Sequence, residues 1–198
     1  FTMNPDFNKP FTLNKTNSEA YYECFMERKD RKIKEMKELL EKEAGIPKEE
    51  INYSKESLVP IWTYVRKRIR KKRLLEYVDQ KDLPCWYWME NSALNNVRTK
   101  NFSNESIFWI DSLSYYLGEC FVKNLNGQWI RSEDTNNPFE YHDYKPLISF
   151  SDPELIDREP VTTLYILSDR IIENREIYRE RDLIGVLENH HKMSKAIL

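Results

Sequence analysis

Apolar residues along this chain repeat at helical spacing in five stretches, separated by short strand-like runs and polar loops. The lead-in, 1–16, is rich in Asn, Pro and Thr and suits an extended segment. Asn17 or Ser18 can cap a first helix that runs to Gly45. Its Tyr22, Phe25, Met26, Ile33, Met36 and Leu40 fall largely on one face, and Gly45 followed by Pro47 marks its end. Leu58, Ile61, Trp62, Val65 and Ile69 then repeat at i, i+3, i+4, i+7 and i+11, which predicts an amphipathic helix from Ser57. Pro60 fits its first turn, where the missing N–H is not needed. The same helix is expected to continue through a basic stretch until Leu74, Leu75, Tyr77 and Val78 restore apolar character.

From Ile107 to Leu125 apolar residues occur on every side of the helical wheel, which predicts a wholly buried central helix over 104–125. Ser103 can cap it, with Phe102 stapling onto Ile107. Gly118 inside that helix costs roughly 1 kcal/mol relative to Ala, so another element should cross closely there. The run 85–89 reads as a strand or a tight turn, and 91–104 as a loop. Asn126 and Gly127 turn the chain into a strand at 128–131, and 139–144 and 147–150 offer further strands, split by Pro146. Asp157 opens a fourth helix with Val161, Leu164, Tyr165, Ser168, Ile171 and Ile172 on its core face; a last helix covers 179–192. The expected fold is one mostly α-helical α+β domain over 3–198. The helices at 18–44 and 57–78 and a small antiparallel sheet containing Trp129 pack around the central helix.

Composition narrows the chemistry. The 198 residues are 40% hydrophobic, 13% aromatic and 32% charged, which suits a globular core with well-solvated helices. Only four glycines are present, too few for a loop that wraps phosphates, so no nucleotide cofactor is expected. The net charge of −2 conceals segregation. Positions 66–73 are basic at seven of eight residues, whereas 133–159 holds eight acids against Lys145 and Arg158. Cys24, Cys85 and Cys120 are far apart in the chain and odd in number, which reads as reduced thiols in a cytoplasmic protein. No signal peptide and no long apolar run stand out, in keeping with that placement.

Candidate catalytic groups are few. Glu119 and Asp111 lie eight residues apart, about 12 Å along a helix, too far for a paired-carboxylate mechanism of the retaining kind. Glu119 reads instead as an ion-paired group at the rim of the core. Cys85, among Trp86 and Trp88, reads as a packing thiol rather than a nucleophile. His190 and His191 are adjacent and do not match an i, i+4 zinc pair, and His142 with Glu140 and Asp143 would need the tail to fold back. No metal, no cofactor and no catalytic residue are therefore expected. The basic run could track nucleic-acid phosphates, with Tyr64 and Tyr77 stacking on bases, or meet an acidic protein; alternatively it is a solvated helix end balanced by the chain's own acids.

Two segments carry a resemblance. The 51–62 segment, INYSKESLVPIW, and Tyr116, Leu117, Gly118 and Glu119 followed by Gly127 and Trp129 resemble segments of the form ESLxxxW and YLGE…GxW. A loose group of uncharacterised bacterial proteins has both, in the same order and at similar spacing, and the resemblance covers roughly 17–131. Some members accompany polymorphic toxins and are regarded as their immunity proteins. The resemblance implies a similar fold and a non-enzymatic role in binding a protein, with Leu58, Trp62, Leu117, Gly118, Glu119 and Trp129 as structural motif residues. This chain departs from many of the group in its 66–73 run, which argues against a uniformly acidic toxin-binding face. On this reading the partner would meet Arg66, Arg68, Arg70 and Lys71 on the basic side and Glu133, Asp134 and Asp143 on the acidic side. The alternatives are nucleic-acid binding through the basic run and a hydrolase using Glu119 or Cys85.

Overall fold

The computed structural model describes residues 6–77, 82–90, 101–132, 144–173 and 179–195, with side chains up to 188. Its elements are helices α1 (Ser18–Leu39), α2 (Leu58–Val65), α3 (Asn104–Leu125), α4 (Pro160–Glu173) and α5 (Asp182–Lys195), and strands β1 (Gly127–Arg131) and β2 (Pro146–Phe150). A π-helical turn, Leu40–Ala44, extends α1, and Cys85–Trp88 forms a short 3-10 helix. The fold is mostly helical α+β with a two-stranded antiparallel sheet, in which Trp129 pairs with Ile148. No described helix is long and apolar enough to cross a membrane.

Helix α3 is central because its sequence has no polar face to turn toward water. Fourteen of its 22 residues are buried, including every position from 109 to 118. Ser103 caps it by accepting a hydrogen bond from the Ser106 N–H at 3.2 Å. Helices α1 and α4 and both strands pack on it. Toward α1, the Phe25 and Tyr115 rings lie 4.5 Å apart, and the Tyr115 hydroxyl donates to the Phe25 carbonyl at 2.9 Å. Toward α2, the Tyr116 hydroxyl meets Ser57 Oγ at 2.6 Å and accepts from the Tyr53 N–H at 2.9 Å. The close crossing expected at Gly118 is the Trp129 indole of β1: a Cβ at position 118 would overlap its six-membered ring.

Several boundaries differ from the sequence pattern. The first helix keeps its start, but the Asn17 side chain accepts from the Asn14 N–H rather than capping the helix. Gly45 ends the π turn in the left-handed conformation, φ 66°. Pro146 begins β2 instead of splitting it, and α4 starts at Pro160, not Asp157. The 85–89 run is a 3-10 turn, with Met89 bridged to Phe11 in the lead-in. That bridge, with Phe7 and Leu13 buried, ties the lead-in to the core, which its polar composition did not suggest. The expected loop at 91–100 and the strand at 139–143 lie outside the described residues.

The largest correction concerns the second helix, which ends at Val65 and does not reach 78. Continued as a helix, the basic run would set Arg66 against Arg70, Lys67 against Lys71 and Arg68 against Lys72 at i, i+4, where like charges repel. Instead a turn carries Ile69 into the core, and the next residues run extended beside the start of α3.

Candidate partner-binding surface

The extended part of the basic run is fastened to α3 by backbone groups. The Arg70 N–H donates to Ser106 Oγ at 2.8 Å, and the Ser103 N–H donates to the Arg70 carbonyl at 3.2 Å. Lys71 forms an antiparallel bridge with Phe102. A tight turn follows, closed from both ends: the Glu76 N–H donates to the Arg73 carbonyl at 3.0 Å, and the Arg73 N–H to Glu76 Oε2 at 3.1 Å. Asn104 Nδ2 then holds the Tyr77 carbonyl at 2.7 Å. Fixing Arg73, Glu76 and Tyr77 in this way leaves Leu74 and Leu75 at the tip, 99% and 94% exposed, beside Tyr77 at 74%.

The cations of the run divide into two sets. Arg66 pairs with Glu180 at 3.4 Å, and Arg68 with Glu105 at 3.5 Å and Glu43 at 3.7 Å while its guanidinium lies 3.4 Å over the Tyr64 ring. Arg70 holds Glu76 at 2.8 Å and Glu105 at 3.7 Å. The Arg70 hydrogen bond and then the Arg73 N–H keep the Glu76 carboxyl below its ordinary pKa. Burial, followed by the hydrogen bond to Glu43, pushes the Tyr64 hydroxyl up to about 12, so it stays a donor. By contrast, Lys67, Lys71, Lys72 and Arg73 have no ion pair among the described residues. Among the described residues, the acids that pair with this run are Glu43, Glu76, Glu105 and Glu180.

Of the residues expected to meet a partner, Lys71 has no ion pair among the described residues, whereas Arg66, Arg68 and Arg70 serve ion pairs within the fold. Glu133, Asp134 and Asp143 lie outside the described residues, as do Glu140 and His142. His190 and His191 sit on α5. The periodicity of 57–78 concealed the exposed leucines, because it assigned Leu74 and Leu75 to a helix face. The signal that could have exposed the break is the like-charge i, i+4 spacing itself.

The remaining candidates occupy structural positions. Glu119 Oε1 accepts from Lys29 Nζ at 2.7 Å and from Trp129 Nε1 at 3.0 Å, at the rim of the core. Asp111 is buried and bound by Arg28 at 3.2 Å and Trp86 Nε1 at 2.9 Å; burial raises its pKa against the pull of those two donors. Leu58, Trp62, Leu117 and Gly118 are buried, and Trp129 is half-buried. Cys85 is buried and touches Cys24, a contact that separation in the chain did not foretell. Among the described residues, no three His, Cys, Asp or Glu side chains converge as metal ligands would.

Compared with protein-family models, with curated proteins and with solved structures, the chain finds no match.

Proposed function

We propose that this chain is a non-catalytic binding protein that docks an acidic protein partner through the 71–77 turn. One observation carries the reading: a turn closed at both ends displays Leu74 and Leu75, nearly fully exposed, directly after three cations, Lys71, Lys72 and Arg73, that have no ion pair among the described residues. Exposed apolar side chains contribute nothing to this fold's core, and large ones with a charged surround are the usual anchors of an interface. Lys71, Lys72 and Arg73 would steer an acidic partner and set its orientation. The resemblance at 51–62 and 116–129 adds the kind of partner, a toxin that the chain neutralises in a bacterial cytoplasm. Its motif residues support this division of labour, since they build the core and leave recognition to the surface. Glu119, held by Lys29 and Trp129, and Cys85, buried, favour binding over hydrolysis.

The test is charge reversal of Lys71 and Arg73, whose side chains have no ion pair among the described residues, compared with reversal of Arg68 and Arg70. A protein partner predicts loss of binding to the neighbouring gene's toxin, with the parent chain passing through heparin, duplex DNA and anionic vesicles unretained. Nucleic-acid binding through 66–73 predicts retention on DNA or RNA whatever the sequence, with a salt slope that falls as cations are removed. Retention on nucleic acid or on vesicles, or toxin binding indifferent to Lys71 and Arg73, would refute the proposal.

A further inference from the structure

Cys24 on α1 and Cys85 at the start of the 3-10 helix are 61 residues apart in sequence, yet their sulfurs lie 2.7 Å from each other. Cys85 is buried, whereas Cys24 is half-buried and lines a cleft of about 240 Å³ together with Asp6, Phe7, Asn8, Glu23 and Glu27. We propose that Cys24 and Cys85 are a peroxide-reactive dithiol: a small neutral peroxide enters the cleft, oxidises Cys24, and Cys85 closes a disulfide with it.

The assignment of roles follows from the surroundings. A hydrogen bond from the Cys85 thiol, and the Arg28 guanidinium one turn along α1, hold Cys24 below the ordinary thiol pKa. The same hydrogen bond and burial push Cys85 up, so Cys85 keeps its proton until the second step. Attack by the Cys24 thiolate on hydrogen peroxide breaks the O–O bond and gives a sulfenic acid, and the departing hydroxide takes a proton to become water. Cys85 sulfur then attacks the Cys24 sulfur. The S–S bond forms, the S–O bond breaks, and the leaving hydroxide combines with the Cys85 proton as a second water. Two thiols are oxidised and one peroxide is reduced to two waters. Contracting the gap to a disulfide bond of about 2.05 Å needs less than 1 Å of movement. The acids Asp6, Glu23 and Glu27 at the cleft discriminate against anionic oxidants such as oxidised glutathione. Cys120, buried in α3 and raised in pKa by that burial, is the internal control.

Full-length protein is reduced, freed of reductant, treated with one equivalent of hydrogen peroxide, then denatured and alkylated. Of the three thiols, one should remain alkylatable, Cys120, giving a chain that carries one alkyl group and is about 2 Da lighter than a reduced chain with one such group, and a Cys24–Cys85 cross-linked peptide. Cys24→Ser, at a half-exposed position, should keep both remaining thiols under the same treatment. Oxidised glutathione at low ionic strength should react at least about tenfold more slowly than peroxide. Three alkylatable thiols, a sulfinic acid without a cross-link, a cross-link through Cys120 or between chains, or glutathione disulfide matching peroxide would each overturn the proposal. The wild-type peptide map decides the matter without relying on a variant of buried Cys85.

Discussion

The surroundings of α3 and the 71–77 turn use the same materials to opposite ends. Around α3, two carboxylates are drawn toward apolar packing and each is satisfied: Asp111 by Arg28 and Trp86, Glu119 by Lys29 and Trp129. At the turn, the backbone and Glu76 are satisfied while two leucines and a tyrosine are left in water. Burying a leucine is worth about 1.5–3 kcal/mol, so holding two outside a core forgoes stability that packing could have supplied. The contrast shows hydrogen bonds at α3 serving cohesion and, on the proposed reading, those at the turn serving presentation.

Substitutions should therefore separate the two regions. Asp111→Ala leaves Arg28 and Trp86 without their buried acceptor, and urea unfolding should show a loss of about 3–5 kcal/mol. A loss under 1 kcal/mol would mean that the buried pair is not holding α1 to α3. Gly118→Ala gains helix propensity but drives a Cβ into the Trp129 ring; a net loss of about 1–3 kcal/mol is expected, with a change in tryptophan fluorescence. Unchanged or higher stability would show that the indole can withdraw freely.

A smaller effect lies at the edge of the core, where Asp82 meets Arg28, Arg31 and Lys32. Burial works to raise its pKa, but the hydrogen bonds from Arg31 and Lys32 prevail and bring it down to about 2, against 3.8 ordinarily. A carboxyl depressed in the folded state contributes stability above its unfolded pKa and loses it as pH falls through the folded value. The stability gap between wild type and Asp82→Asn should thus be constant above about pH 5 and close between about pH 4 and 2. A gap that persists at pH 2 would contradict the ion pair. Comparison with the variant is needed because Asp111, raised by burial, gives a dependence of opposite sign.

What the sequence disclosed follows the same division. Helix α3, its Ser103 cap and the crossing at Gly118 were legible because an all-round apolar helix and a costly internal glycine each have one simple structural answer. The stop of α2 at Val65 was not, since Ile69 continues the helical spacing and only Ser106, distant in sequence, takes the Arg70 N–H. The burial of Lys32 and the meeting of Cys24 with Cys85 likewise depend on the approach of 82–88 to α1. For the candidate surface, the basic run was recognised as charge, but which of its cations are ion-paired among the described residues depends on Glu43, Glu105 and Glu180 arriving from three other parts of the fold.

The central claim is that Leu74 and Leu75 are held out for a partner. The decisive measurement is calorimetric binding of the toxin that the proposed function calls for to wild type and to the Leu74→Ser, Leu75→Ser double variant, with the stability of each measured alongside. The account predicts tight binding by wild type, loss of at least about 100-fold in the variant, as for anchor residues, and stabilities equal within about 0.5 kcal/mol. Equal affinity in the two proteins, or a variant destabilised as though the leucines were core, would contradict it.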